Sequence, residues 1–457
     1  MQSALGVERL LWKWNGPAEA ELWAGSKPRV SPRQARQWSD QRDQKSAISL
    51  LLDSAWESAK LVAADGRTPH AESVDDAGNG LVRVVFSLPA GLSPDDIESK
   101  LDRFRATSGY AYARVEEAPK AGAVQLLLGV KDPMPESVMI DWSVVDASKP
   151  DELPFAVDDL GNVVVHTLGR SPHLLTTGVT GFGKSSVAQV LLADAAEKGW
   201  DIIVCDPEKG AVDFMPFQHL SLAYAVTLED TAAALKWAEA EMDRRIRLYG
   251  EAGVSSIWAM PEDTCPKPLA ILVDEFNSLL QSDRAPRNPD DDPTIANQII
   301  QINAANKLRQ MCGDSVSKIA AKGRSAGITL MLCAQALNAN ELNLLSAAGT
   351  LKRNVARIFL GSGNAAGNVS QNNIREANRI IRSFGNMPKG RGLYEPTGGH
   401  VVGIQTWWSG GVDVLTERFG SKPEVRKIDL SPYQQQASGR VGVIEQPVAV
   451  PDVVTVD

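Results

Sequence analysis

Eight consecutive residues offer the clearest chemistry in the chain: Gly178, Val179, Thr180, Gly181, Phe182, Gly183, Lys184 and Ser185, followed by Ser186. They fit the pattern G-x-x-x-x-G-K-[ST] at every fixed position. Glycines at these positions let backbone N–H groups converge on phosphate oxygens, and a helix starting at the end of the run adds a favourable dipole. Lys184 is then expected to reach the β- and γ-phosphates, and the Ser185 hydroxyl to ligate Mg²⁺. The flanks suit this role, because apolar His173, Leu174 and Leu175 enter the loop and an amphipathic stretch, 186–198, leaves it. A glycine turn with no ligand is the competing reading, and that context weighs against it. The predicted ligand is ATP with Mg²⁺.

Two further positions belong to the same chemistry. Asp274 ends an apolar strand over 269–274 and Glu275 follows it. Downstream of a phosphate loop, Asp274 is expected to hold the Mg²⁺ shell and Glu275 to polarise the attacking water. Standing alone, such a pair could equally cap a helix. Gln335 follows the apolar strand 328–333 and could sense the γ-phosphate or orient water; a solvated glutamine at a strand end is the plainer alternative.

The elements that must position these residues are legible as a strand–helix alternation over 165–420. Near-continuous apolar strands at 173–175, 201–206, 269–274, 328–333 and 355–360 are separated by amphipathic helices. This pattern predicts an α/β fold with a mainly parallel sheet covered on both faces. The stretch 227–250 reads as a helix with Leu235, Ala238, Met242, Ile246 and Tyr249 on one face, opened by Thr227 and Asp230 as a capping box. Residues 80–150 read as a small α/β module, with strands near 81–88, 112–115 and 124–130 and a helix opened by Ser93 and Pro94. Residues 151–161 read as an acidic linker. Residues 1–75, with Trp12, Trp14, Trp23, Trp38 and Trp56, read as a helical appendage packing its tryptophans inward. Residues 284–293 read as a surface loop. The region 421–457 is predicted to be a mostly disordered tail, above all 439–457.

The bulk composition excludes less. The 457 residues are 43% hydrophobic and 23% charged with a net charge of -9, an ordinary globular balance. An acidic total argues against a whole-surface nucleic-acid binder but leaves room for a local basic channel. Cys205, Cys265, Cys312 and Cys333 form no CxxC pair, which disfavours disulfide and zinc frameworks and favours a reducing compartment. No apolar run of about 18 residues marks a membrane span, and the first residues lack the form of a signal peptide. A cytoplasmic protein is expected.

At this point the residues resemble the FtsK/SpoIIIE branch of the FtsK–HerA DNA-pumping ATPases. The resemblance is carried by 173–186, by Val204, Cys205, Asp206, Pro207, Glu208, Lys209 and Gly210, by 272–276, by 322–330, by 333–335 and by 389–394. It covers about 165–420 and, less closely, the module at 80–150. It implies a RecA-like motor, a hexameric ring threading double-stranded DNA, with ATP between subunits and an arginine donated across the interface. Arg324 matches the arginine preceding the family's sensor strand and is the first candidate for that finger; Arg357, in the next strand, is the second. Either could instead brace the interface as an ion pair. Lys352 and Arg353 lie where the resemblance expects a pore-facing loop. They open a basic stretch continuing through Arg357, Arg375, Arg379, Arg382, Lys389 and Arg391, which is either a phosphate-tracking footprint or a solvated face. The resemblance departs from membrane-anchored members and from those with a C-terminal winged-helix reader. It points to soluble relatives of actinobacterial mobile elements or phages, acting in conjugation or genome handling, with a membrane or DNA-loading partner as a further candidate. An EccC-like protein-secretion ATPase and a nucleotide-gated scaffold are the alternatives, and DNA stimulation of ATPase activity would separate them.

Overall fold

The computed structural model describes residues 10–16, 19–24, 44–288, 292–335, 348–363, 365–385 and 387–437. Two compact units divide the chain. The first comprises Met1–Pro135, Val157–Asn162 and Asn378–Met387, and the second Glu136–Ala156, Val163–Ala377 and Pro388–Asp457.

In the first unit, β1 (Leu10–Gly16) and β2 (Glu19–Ala24) pair antiparallel. The segment expected to be helical therefore opens with a hairpin. Trp12, Lys13, Trp14 and Asn15 alternate apolar with polar, a period of two that suits a strand, and aromatic residues favour that state. Trp38 lies outside the described residues. A helix does follow within that segment, over Gln44–Ser58. Its Trp56 is fully buried and stacks on Phe104 with ring centroids 4.0 Å apart.

The small module is a four-stranded antiparallel sheet of β3 (His70–Gly78), β4 (Leu81–Ser87), β5 (Tyr112–Glu116) and β6 (Ala123–Gly129), in the order β3-β4-β6-β5. β3 escapes a sequence reading because its residues are largely polar. The helix Pro94–Ser108 closes one face over Ile97, Phe104, Phe86 and Leu126. Its start is braced by Ser93, whose N–H and hydroxyl both donate to Asp96 Oδ2. Two distant stretches join this unit through charge. Asp159 accepts from the Tyr112 hydroxyl at 2.7 Å and pairs with Arg114 at 2.5 Å. Arg379 pairs with Glu98.

The second unit is built on one long sheet. Its strands are β7 (Val138–Met139), β8 (Glu152–Asp158), β9 (Val163–Thr167), β10 (His173–Gly178), β11 (Asp201–Cys205), β12 (Ser221–Ala225), β13 (Leu269–Val273), β14 (Ile328–Cys333), β15 (Val355–Leu360), β16 (Arg391–Glu395) and β17 (Val402–Trp408). The order is β12-β11-β13-β14-β10-β15-β16-β17-β8-β9, with β7 beside β17. From β12 to β15 every pairing is parallel, and β15-β16-β17 continue antiparallel. The expected linker at 151–161 is largely β8, since Leu153, Phe155 and Ala156 are fully buried.

The parallel strands are apolar throughout because both faces are covered. Leu174, Ile202, Val204, Leu272 and Ile358 pack toward the helix Lys184–Glu197. The alternate residues Leu175, Ile203, Ile271, Val273 and Leu330 pack toward the helices Leu228–Glu251 and Pro293–Lys322. The second of these helices keeps its buried positions between Cys312 and Ala320, toward its C-terminal end. Beyond residue 420 the chain does not leave the unit at once: Val425 and Ile428 donate to His219 and Leu222 carbonyls, and a helix, Ser431–Ala437, follows. Apolar Ile428, Leu430 and Tyr433 hold it to the core. The part of the expected tail at 439–457 lies outside the described residues.

Candidate nucleotide site

The site grows from the C-terminal ends of β10, β13 and β14, where the strand order turns back on itself, the usual place for a ligand crevice in an open α/β sheet. β14 separates β10 from β13, so Gln335, just past β14, stands between the phosphate loop and the carboxylate pair. Its carbonyl accepts from Gly178 N–H at 3.3 Å, and its amide lies 3.5 Å from Glu275 Oε1.

The loop needs its glycines. A Cβ on Gly178 would stand 2.3 Å from the Leu360 carbonyl oxygen, so only glycine lets β10 and β15 approach this closely. Gly183 has φ of 102° at the start of the helix Lys184–Glu197. That helix begins at Lys184, two residues earlier than the apolar spacing suggests, and its N–H groups face the loop.

Lys184 Nζ donates to the Gly178 carbonyl at 2.9 Å. Burial pushes its ammonium below the usual lysine range, while the Glu275 charge works the other way. Asp274 and Glu275 are both buried. Burial pushes the Asp274 carboxyl up to about 6 against the nearby Lys209 charge. Among the described residues its Oδ2 has no hydrogen-bond partner, Lys209 Nζ being 4.0 Å away. An orphaned carboxylate oxygen beside a phosphate loop is suited to a cation, so the donor set Ser185 and Asp274 fits Mg²⁺. Glu275 has φ of 47°, a left-handed conformation costly for a side chain of this size and characteristic of functional turns.

Lys209 is the residue whose role sequence reasoning missed. Its Nζ lies 2.6 Å from Glu275 Oε1, and that contact raises its own affinity for a proton. Asp206 shapes its loop by accepting from Lys209 N–H at 3.0 Å and Ala211 N–H at 2.9 Å. The signal was the run Asp206 to Gly210 following an apolar strand, a second polar loop at the same sheet edge.

These residues share a cavity of about 680 Å³ lined by Thr180, Gly181, Lys184, Ser185, Ser186, Lys209, Asp274, Glu275 and Gln335, together with Glu136, Ser137, Lys389, Thr406, Trp407 and Trp408. The turn leading into β16 closes on the phosphate loop, since Gly390 N–H donates to the Phe182 carbonyl at 2.9 Å.

The arginines separate. Arg357 is bound within its own chain, to Glu395 at 2.9 Å and to the Lys352 carbonyl at 2.9 Å. Arg324 is exposed and precedes β14, at the opposite sheet edge from the cavity. The basic stretch is not one surface. Arg391 is buried against Gln405, Arg379 is paired with Glu98, and Lys389 lines the nucleotide cavity. Arg353, Arg375 and Arg382 are exposed and Lys352 is half-buried. Lys352 and Arg353 end a short helix, Ala348–Asn354, anchored by buried Leu351 and by Asn354 donating to the Ala320 carbonyl at 2.9 Å.

With this geometry in place, the chain can be compared with known proteins. Residues 144–339 match the FtsK/SpoIIIE family. The matched segment spans the phosphate loop, the carboxylate pair and Gln335. DNA translocase FtsK of Pseudomonas aeruginosa is 27% identical over 287 residues, covering 58% of this chain and 34% of that protein. A sporulation regulatory protein of Streptomyces azureus is 27% identical over 168 residues, 37% of this chain and 49% of that protein. The chain spans about a third of the length of the first FtsK relatives it matches. Among solved structures, the conjugation coupling protein TcpA of pCW3, with ATPγS, superposes with a TM-score of 0.52 at 19% identity, over 79% of this chain and 95% of that one. The matched segment thus lies in a P-loop α/β fold. Among the described residues no helix is long and apolar enough to cross a membrane.

Proposed function

We propose that this chain is an ATP-dependent double-stranded DNA translocase subunit, hydrolysing ATP at inter-subunit sites of a hexameric ring in conjugation, mobile-element transfer or phage genome handling. The observation that carries the reading is the convergence of Lys184, Asp274 and Glu275 on one cavity inside a segment of FtsK/SpoIIIE type. Lys184 leaves the Gly178 carbonyl to pair with the β- and γ-phosphates, while the loop N–H groups bind the remaining phosphate oxygens. Ser185 and Asp274 hold Mg²⁺, which supplies charge neutralisation on the phosphates. Glu275, oriented by Lys209 and Gln335, polarises the attacking water. DNA is gripped by phosphate contacts, Lys352 and Arg353 foremost with Arg375 and Arg382 beyond them, because a motor stepping along any sequence meets a regular backbone but irregular base edges. Arg379 contributes less, its charge being engaged by Glu98.

The test is ATPase activity with and without duplex DNA. DNA should stimulate turnover, and Lys184→Ala should remove it in both conditions. DNA affinity should fall by about 10³ or more between 50 and 200 mM salt if roughly 6–10 phosphates are engaged. Changing Lys352 and Arg353 together to Ala should flatten that salt slope and spare DNA-free hydrolysis. Hydrolysis indifferent to DNA, or stimulated by a secretion-signal polypeptide instead, would overturn the DNA reading.

A further inference from the structure

The loop, Lys209 and the carboxylates account for the phosphate chemistry of the cavity, whereas its lining also holds an aromatic residue that no step of the chemistry uses. Trp408 is the last residue of β17 and is 48% exposed, while its neighbour Trp407 is buried. The ring is not on a loose loop. On one side, Thr406 N–H donates to the Gly390 carbonyl at 2.9 Å, and Gly390 in turn donates to the Phe182 carbonyl of the phosphate loop. On the other, the Ser409 hydroxyl donates to Gln189 Oε1 at 2.9 Å, on the helix that starts at Lys184. The Trp408 carbonyl accepts from Ile140 N–H at 3.0 Å, and Met139 of β7 lies opposite it in register. Trp408 is thus fixed to the phosphate loop, its helix and the neighbouring strand at once.

We propose that Trp408 is the platform on which the purine ring of the bound nucleotide stacks, so that β17 reads the base while the phosphate loop reads the phosphates. This deepens the nucleotide reading above and rests on it. A ligand of triphosphate, ribose and base suits a cavity of this size whose lining holds both polar groups and an aromatic residue. Every purine presents a π-face, and stacking one on an aromatic side chain contributes about 5- to 100-fold in affinity.

Calorimetry on the full chain, with Mg²⁺–ATP and inorganic tripolyphosphate as paired ligands, tests this. Trp408→Ala should weaken ATP about 5- to 100-fold while tripolyphosphate binding stays within about 2-fold, and Trp408→Phe should recover most of the loss. Unchanged ATP affinity in a folded Trp408→Ala protein, or equal weakening of both ligands, overturns the platform and leaves the phosphate site standing. A parent protein that binds neither ligand overturns the nucleotide reading and this inference with it.

Discussion

The carboxylate pair has a cation on its flank. Glu275 has two polar neighbours, Lys209 at 2.6 Å and the Gln335 amide at 3.5 Å, and its strained backbone turns it back over the cavity. Glu275→Gln keeps the shape but loses the charge that draws on water. Hydrolysis should fall about 10²–10⁴-fold while ATP binding persists, as measured by single-turnover kinetics and calorimetry on the same preparation. Lys209→Met tests the positioning role of the lysine. It should lower kcat about 10-fold or more with KM changed little, because orientation of a catalytic group is felt mainly in the transition state, and Lys209→Arg should restore much of it. A rise in KM with kcat untouched would make Lys209 a binding group rather than a positioning one. The P-loop, Asp274 and Glu275 were legible because their chemistry fixes residue types at set spacings. Lys209 was not, because its partner lies 66 residues away in sequence and only the β11–β13 pairing brings the two together.

At the scale of elements, the helix Lys184–Glu197 shows what periodicity can and cannot reveal. It has almost no polar face, because it is buried from Val187 to Ala196. That burial traps Asp194, whose carboxyl is pushed up to about 7 although Lys198 Nζ lies 2.7 Å away. The native state therefore holds a proton on Asp194 at pH values where the unfolded chain, near the ordinary aspartate range, has lost it. Asp194 accordingly costs stability that grows as pH rises from about 4 to about 7. Asp194→Asn should remove that cost: urea unfolding should show the variant gaining on the parent with rising pH, by up to about 4 kcal/mol at pH 8, at ~1.4 kcal/mol per pKa unit. A difference that does not change with pH would show that the burial cost lies elsewhere. Parallel strands and amphipathic helices were readable because burial on two faces makes strands uniformly apolar. β3 and β8 were not: β3 is mostly polar, and β8 hides its apolar core Leu153 to Val157 between acidic residues. The hairpin over 10–24 was misjudged because tryptophan count outweighed the two-residue alternation at Trp12 and Trp14.

For the whole molecule, the placement of Arg324 is decisive. It precedes β14, and six residues of extended strand, about 20 Å, separate it from the cavity end of the sheet. It therefore cannot serve its own nucleotide, and the ring reading gives it the neighbour's. Arg324→Ala and Lys184→Ala should each be inactive alone. Mixed in equal amounts, they should recover part of the activity, since some interfaces then join an intact loop to an intact arginine. Trans arginines of this kind supply about 10³–10⁵ in rate, so even sparse mixed interfaces are measurable; no recovery in demonstrably mixed rings would assign Arg324 a structural role. The way the first unit is threaded has a different consequence, one for biosynthesis. Its sheet spans residues 70–129, yet Arg114 finds Asp159 and Glu98 finds Arg379 only through stretches made later. A chain emerging from the ribosome at about 5–20 residues per second holds Glu98 without Arg379 until β10 to β15 have all been released. The first unit, whose own sheet ends at residue 129, is thus completed only on the order of tens of seconds after that sheet has been made.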